Sequence, residues 1–241
     1  SAKVGNGKLV TIKESTQYPF DETISFTIEF QNRKDKEIKF PFHLRIPEWC
    51  RNPTLTINGE NMAIKTKQGE IVKIDRVWKN NDKISLRLPM EVAVSRWYDG
   101  GVAVERGPLL YALKMNENWQ KKAMEPNEIK RYGKWYYEVT SDTPWNYAFP
   151  NRNLRNENIG NAFVVETKNN ISDYPWTLQD APIVIKTKGL RIPGWKEYNG
   201  SAGPVPYFTQ QGEDVGNEED IELIPYGCST LRIAVFPVRN K

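Results

Sequence analysis

The sequence predicts an all-β protein made of two antiparallel β-sandwich, jelly-roll-like units, with long loops in the second. Three observations lead there. Apolar and polar residues alternate with period two over many short segments, the signature of half-buried strands. Sixteen Pro and sixteen Gly fall between those segments, where they punctuate turns. Nowhere do apolar residues recur at helical spacing over three turns, which argues against an α/β arrangement. With 241 residues, the chain can bury roughly 70 to 75% of its unfolded surface, so a core needs no disulfide or metal.

Taken in order, residues 8–13 (KLVTIK) and 23–30 (TISFTIEF) alternate strictly, as do 43–46, 54–57 and 84–88. Asn58-Gly59 follows the 54–57 strand; this dipeptide tolerates positive φ at both centres of a type I′ turn and marks a hairpin. The polar run Lys79-Asn80-Asn81-Asp82 supplies a second turn, between 71–78 and 84–88. Residues 101–115 (GVAVERGPLLYALKM) read as two apolar strands broken at Gly107-Pro108. Beyond them 163–167, 183–187, 221–224 and 231–236 repeat the strand pattern. The nearest helical candidate, 116–124, is short and polar.

Composition shifts near Met115, after which come the Asn-rich loops 151–161 and 199–217. Two domains, 1–115 and 116–241, are therefore expected. A weak internal echo joins LRIPEW at 44–49 to LRIPGW at 190–195.

Charge and composition exclude several function classes. Lys and Arg total 34 against 30 Asp and Glu, and the basic residues are scattered. Segments 64–67, 121–131 and 185–191 look basic but are diluted by acids or by strand alternation, so they read as solvated faces and no nucleic-acid partner is expected. No apolar run reaches membrane-span length and the opening residues do not read as a signal peptide, so no membrane partner is expected. The chain begins at Ser1 rather than Met, as expected of a processed or excised piece.

One histidine, His43, and two distant cysteines, Cys50 and Cys228, give no support to zinc-ligand spacing, a Cys-x-x-Cys motif or a Ser/His/Asp triad. The cysteines read as buried free thiols or, in an oxidising compartment, as a pair. His43 lies in an alternating strand and is expected to point outward or to be hydrogen-bonded. Glu105-Arg106, inside an apolar stretch, needs pairing and reads as a structural ion pair or a strand-edge position. Asp75, Asp82, Asp99, Glu138 and Asp142 neighbour turns or strand ends, and no two carboxylates are brought together by the sequence itself. Asn170-Ile171-Ser172 and Asn199-Gly200-Ser201 match the glycosylation sequon.

Eight tryptophans are the feature best suited to sugar contact, because flat rings stack on the C–H faces of sugars. Trp97-Tyr98, Trp135-Tyr136-Tyr137 and Trp145-Asn146-Tyr147 are the clusters, and Trp97, Tyr98, Trp145 and Tyr147 are the candidate carbohydrate-binding residues. The competing role for each is core packing.

A collinear set of motifs carries a resemblance: LRIPEW at 44–49, TLTINGE at 54–60, WKNNDKI at 78–84, LRLPMEV at 86–92, VAVERGPLLYAL at 102–113, DTPWNYAF at 142–149 and LIPYGCSTLRIAVFP at 223–237. Together they resemble the non-catalytic C-terminal half of glycoside hydrolase family 127, which includes bacterial β-L-arabinofuranosidases. The resemblance implies a parent with an N-terminal (α/α)6 barrel, whose cysteine nucleophile and cysteine- and glutamate-held zinc do the chemistry. No barrel sequence is present here. Cys50 and Cys228 fall in LRIPEWC and PYGCSTLR and inherit neither role, so no catalytic residue, metal ligand or cofactor is expected in this chain. The implied function is an accessory β-sandwich region that supports the missing barrel. The barrel is the implied partner, with a second copy of the chain and plant polysaccharide as further candidates, and a periplasmic or secreted parent is favoured. Two alternatives remain: a carbohydrate-binding module with an aromatic site, and an enzyme in its own right using two loop carboxylates roughly 5 to 9.5 Å apart.

Overall fold

In strand Glu37–Arg45 (EIKFPFHLR) every second residue is buried: Ile38, Phe40, Phe42 and Leu44 face inward while Lys39, Pro41 and His43 face solvent. This is the period-two pleat made visible, in a computed structural model that describes residues 1–64, 67–206 and 215–240. Two compact units emerge, Ser1–Glu91 and Val92–Lys241.

The first unit contains β1 (Ala2–Val4), β2 (Lys8–Thr16), β3 (Thr23–Phe30), β4 (Glu37–Arg45), β5 (Thr54–Ile57), β6 (Glu60–Met62), β7 (Ile71–Lys79) and β8 (Lys83–Arg87). Six of them form an antiparallel sheet in the order β1-β2-β3-β8-β5-β6, and β4 pairs with β7 as a separate ribbon. Inward residues of both layers share one core, with Val10, Ile28, Leu55, Ile84 and Leu86 from the sheet and Ile38, Phe40, Phe42, Val72, Ile74 and Trp78 from the ribbon. That is a sandwich. Trp78 is fully buried and donates its indole N–H to Phe40 O at 2.9 Å, so its one polar atom is satisfied and its ring packs on Phe40 and Phe42. Asn58 and Gly59 have φ of 53° and 85°, as a type I′ turn requires, and β5 and β6 pair across them.

The second unit contains β9 (Val92–Arg96), β10 (Val102–Arg106), β11 (Leu109–Leu113), β12 (Asn118–Ala123), β13 (Trp135–Thr140), β14 (Tyr147–Pro150), β15 (Val164–Thr167), β16 (Ile183–Arg191), β17 (Glu197–Tyr198), β18 (Ser201–Ala202), β19 (Glu218–Pro225) and β20 (Val238–Arg239). Its large sheet runs β20-β14-β16-β19-β11-β10-β9, with β15 alongside part of β16. Gly107, at φ 57°, opens the two-residue turn that lets Arg106 oppose Leu109. The helices α1 (Ile129–Tyr132) and α2 (Asn156–Ala162) are short.

Several expectations change here. Met115 lies inside the second unit, because β11 hydrogen-bonds to β19 near the end of the chain; the composition shift follows loop content, whereas the unit boundary follows long-range pairing. Residues 118–123, within the nearest helical candidate, form a strand whose partner is β13. The loop 151–161 is taken up by a short 3₁₀ turn at Asn151–Leu154 and by α2, which continues to Ala162. The strand expected at 231–236 does not form. Phe236 makes an isolated bridge to Val102 and Val238–Arg239 pairs in parallel with β14, which seats Phe236 4.5 Å from Phe149. Both copies of the LRIP echo close a strand and bury their isoleucine, Ile46 and Ile192.

Candidate functional site

Trp97 and Tyr98 follow β9, where Asp99 (φ 56°) and Gly100 (φ 68°) turn the chain back. The turn closes with Trp97 N–H donating to Gly101 O at 2.8 Å. Gly101 is required by space: a Cβ there would lie 2.6 Å from Val235 Cγ1. The Trp97 indole N–H donates to Ser95 Oγ at 2.9 Å, and the Ser95 hydroxyl donates to Glu105 Oε1 at 2.6 Å. The carboxylate orients the hydroxyl, which orients the ring, yet Trp97 remains 57% and Tyr98 88% exposed. Beside Trp97 lies a largely apolar cleft of about 420 Å³, lined by Leu110, Trp195, Val205, Tyr226 and Arg232 among others.

Trp145 and Tyr147 occupy different surroundings. Trp145 is half-buried and meets Trp195 edge-on at 5.0 Å, while Asn146 Nδ2 donates to Ile192 O and Trp195 O. Tyr147 is buried; it donates to Glu219 Oε2 at 2.6 Å, and the Arg191 guanidinium sits 5.0 Å from its ring centre. Burial, then the Glu219 hydrogen bond and charge, push its phenol up to about 12. The structure thus presents Trp97 and Tyr98 to solvent and uses Trp145 and Tyr147 as packing. Trp195 links Trp145 to Trp97, since it meets the Trp145 ring and lines the cleft beside Trp97, whereas Tyr147 engages Glu219 and Arg191.

A second, more polar cleft of about 420 Å³ contains Glu117, Trp119, Tyr174, Trp176, Ser229 and Arg232. Sequence reasoning missed it, because Trp119 in β12 and the pair Tyr174 and Trp176 in one loop are more than fifty residues apart in the chain and only the fold brings them together. Glu117 Oε1 accepts the amide N–H groups of Thr230 (2.5 Å) and Leu231 (3.2 Å), and Oε2 accepts the Trp119 indole N–H (3.1 Å). Burial alone would raise this carboxyl; the donated hydrogen bonds outweigh it and hold the pKa below the usual value.

Glu105-Arg106 does not lie at a sheet edge, since β10 runs between β9 and β11, and Glu105 accepts the Ser95 hydroxyl. His43 is exposed, as expected of an outward strand residue. Cys50 and Cys228 are buried free thiols, one in each unit. Burial raises both, Cys228 to about 11. Among the described residues no group of three or more His, Cys, Asp or Glu could hold a metal.

Residues 1–90 match the family model for the β-L-arabinofuranosidase, GH127 middle domain. No curated protein matches the chain. Solved structures that share its fold include a glycoside hydrolase, with 20% identity, a TM-score of 0.61 and coverage of 96% of this chain and 32% of that one. A GH127 β-L-arabinofuranosidase from Geobacillus stearothermophilus T6 aligns at 23% identity and a TM-score of 0.60, over 97% of this chain and 31% of that one. A further GH127 β-arabinofuranosidase aligns at 17% identity and a TM-score of 0.60, over 97% and 32%. The chain therefore spans about a third of the length of these structures. Its first unit is similar to the GH127 middle domain, and its described fold is shared with β-L-arabinofuranosidase structures.

Proposed function

We propose that this chain is the accessory, non-catalytic β-sandwich region of a β-L-arabinofuranosidase-type glycoside hydrolase, supporting an (α/α)6 barrel that carries the chemistry. One observation carries this reading: the match to the GH127 middle domain, residues 1–90, coincides with the compact unit Ser1–Glu91. The thiols support it. A buried Cys228, with its thiol pushed up to about 11 and its S–H directed at Pro175 O, is a poor nucleophile at neutral pH. The described residues do not fit the zinc that such an enzyme uses, since no cluster of three ligands exists among them and the two cysteines belong to different units. In this reading the zinc belongs to the barrel.

The test is to assay the purified chain on an aryl β-L-arabinofuranoside, alone and mixed with a separately produced GH127 barrel. Turnover by the chain alone sinks the proposal. A rise in the thermal stability of the barrel on mixing, with activity only when the barrel is present, supports it.

A second reading, a carbohydrate-binding module, is favoured by the oriented and exposed Trp97 beside Tyr98. It expects arabinan or arabinogalactan to bind saturably and Trp97→Ala to abolish that binding. If calorimetry detects no heat with either glycan, this reading fails.

A further inference from the structure

The hairpin β12–β13 forms its own two-stranded sheet, and its register assigns each residue to a face. Trp119 opposes Val139, Lys121 opposes Tyr137 and Ala123 opposes Trp135 on one side; Asn118, Gln120 and Lys122 oppose Thr140, Glu138 and Tyr136 on the other. The first side is an aromatic row left open to water, with Trp119, Trp135 and Tyr137 at 54%, 55% and 56% exposure. Trp119 meets Tyr137 edge-on at 5.8 Å, and the Lys121 ammonium lies 4.8 Å from the Trp135 ring centre. A folded domain does not ordinarily leave such a contiguous apolar row without a use.

The charges on the two sides differ. On the polar side Lys122 and Glu138 cancel at 3.2 Å. Among its paired strand residues the aromatic side presents Lys121 and no carboxylate, and the Glu117 carboxylate at its Trp119 end is engaged by N–H donors, so the row favours a partner that brings negative charge to a flat apolar surface. Trp119 also forms a wall of the polar cleft, where the rings of Tyr174 and Trp176 stand beside Thr177, Gln179 and Arg232. The Arg232 guanidinium is stacked 4.6 Å from Tyr226, and the Glu117 carboxylate already receives three N–H donors. A hydroxyl-rich ligand has partners there, while a protein partner would find few aliphatic side chains on a face that offers only Ala123 and Val139 besides its rings and Lys121.

We propose that this aromatic row, continued into the cleft at Trp119, binds an acidic polysaccharide, a glycan whose sugar rings carry carboxylates. Sugar C–H faces stack on Trp119, Tyr137 and Trp135, and a uronate pairs with Lys121. This site is separate from Trp97 and Tyr98 and does not depend on the accessory role proposed above.

The experiment is affinity electrophoresis and calorimetry of the full chain with polygalacturonate, with neutral arabinan as comparison. Polygalacturonate should retard the chain and arabinan far less. Trp119→Ala and Trp135→Ala should each weaken binding by about tenfold, and Lys121→Ala and added salt should weaken it severalfold, while Tyr198→Ala, an exposed ring on another hairpin, leaves it unchanged. Near-UV circular dichroism checks folding, and Trp135→Ala carries the test if Trp119→Ala fails to fold. No retardation by polygalacturonate overturns the proposal, as does equal binding of arabinan or retention unaltered in Trp135→Ala. A dimer that Trp135→Ala dissolves, with no glycan bound, assigns the row to a second copy of the chain and overturns it too.

Discussion

Asn58 and Asp82 tie two turns of the first unit together. The Asn58 side-chain amide donates to Asp82 Oδ1 at 2.9 Å, while Asn58 Oδ1 accepts Lys83 N–H at 2.8 Å. Asp82 Oδ2 accepts Lys79 N–H at 2.8 Å, and the residue is 6% exposed. The Asn-Gly hairpin and the Lys-Asn-Asn-Asp turn therefore lock each other.

Asp82→Ala leaves two donors without their acceptor, and hydrogen bonds to charged groups contribute about 1.5 to 3 kcal/mol each. Asn58 and Lys79 are exposed residues, so water takes up part of the freed donors and the total loss expected is about 2 to 4 kcal/mol rather than the full sum, read as a fall in the urea midpoint with an unchanged m-value. Asp82→Asn, which keeps one acceptor, should lose less.

Glu117 predicts a pH dependence. Its folded pKa is lowered, so its contribution is present above the unfolded value of about 4.3 and is lost as pH falls through the folded value. Wild type should exceed Glu117→Gln in stability at pH 7, and the gap should narrow on acidification below about pH 4. Denaturant titrations at several pH values check this; a gap that widens on acidification refutes the assignment.

Both thiols should resist modification in the native state. Cys228 is 3% exposed with its pKa raised to about 11, and Cys50 is fully buried. An aromatic disulfide reagent at pH 8 should titrate no thiol until denaturant is added, and then two. Rapid native labelling of either one would contradict the burial.

Gly189 lies in β16 under Tyr147. A Cβ there would sit 2.8 Å from Ile221 Cδ1 and 3.0 Å from Tyr147 Cδ1, so Gly189→Ala must displace a packed ring. Overpacking of this kind costs about 1 to 3 kcal/mol, measurable as a lowered thermal midpoint. Gly194→Ala, with open space around it, should be near neutral.

Local patterns carried the first unit well. Period-two alternation in β3 and β5, the Asn-Gly dipeptide and the polar turn at 79–82 are interactions between near neighbours, and near neighbours are what a sequence displays. The hairpin β12–β13 was less legible because both its faces look polar or aromatic in one dimension. Its strand character depends on a partner that begins at Trp135, beyond α1.

By itself, the sequence determined the all-β class, the chief turns and the place of His43 in an alternating strand, because backbone propensity and side-chain alternation are local properties. It also singled out Trp97 and Tyr98 as candidate sugar contacts, but aromatic identity carries no information on exposure. The tertiary structure alone decided that Tyr147 is buried against Glu219 and Arg191, that Trp97 is oriented through Ser95 and Glu105, and that β11 joins β19 across the second unit. Those outcomes depend on pairings between residues far apart in the chain, whose closure entropy is overcome only when the whole sheet forms.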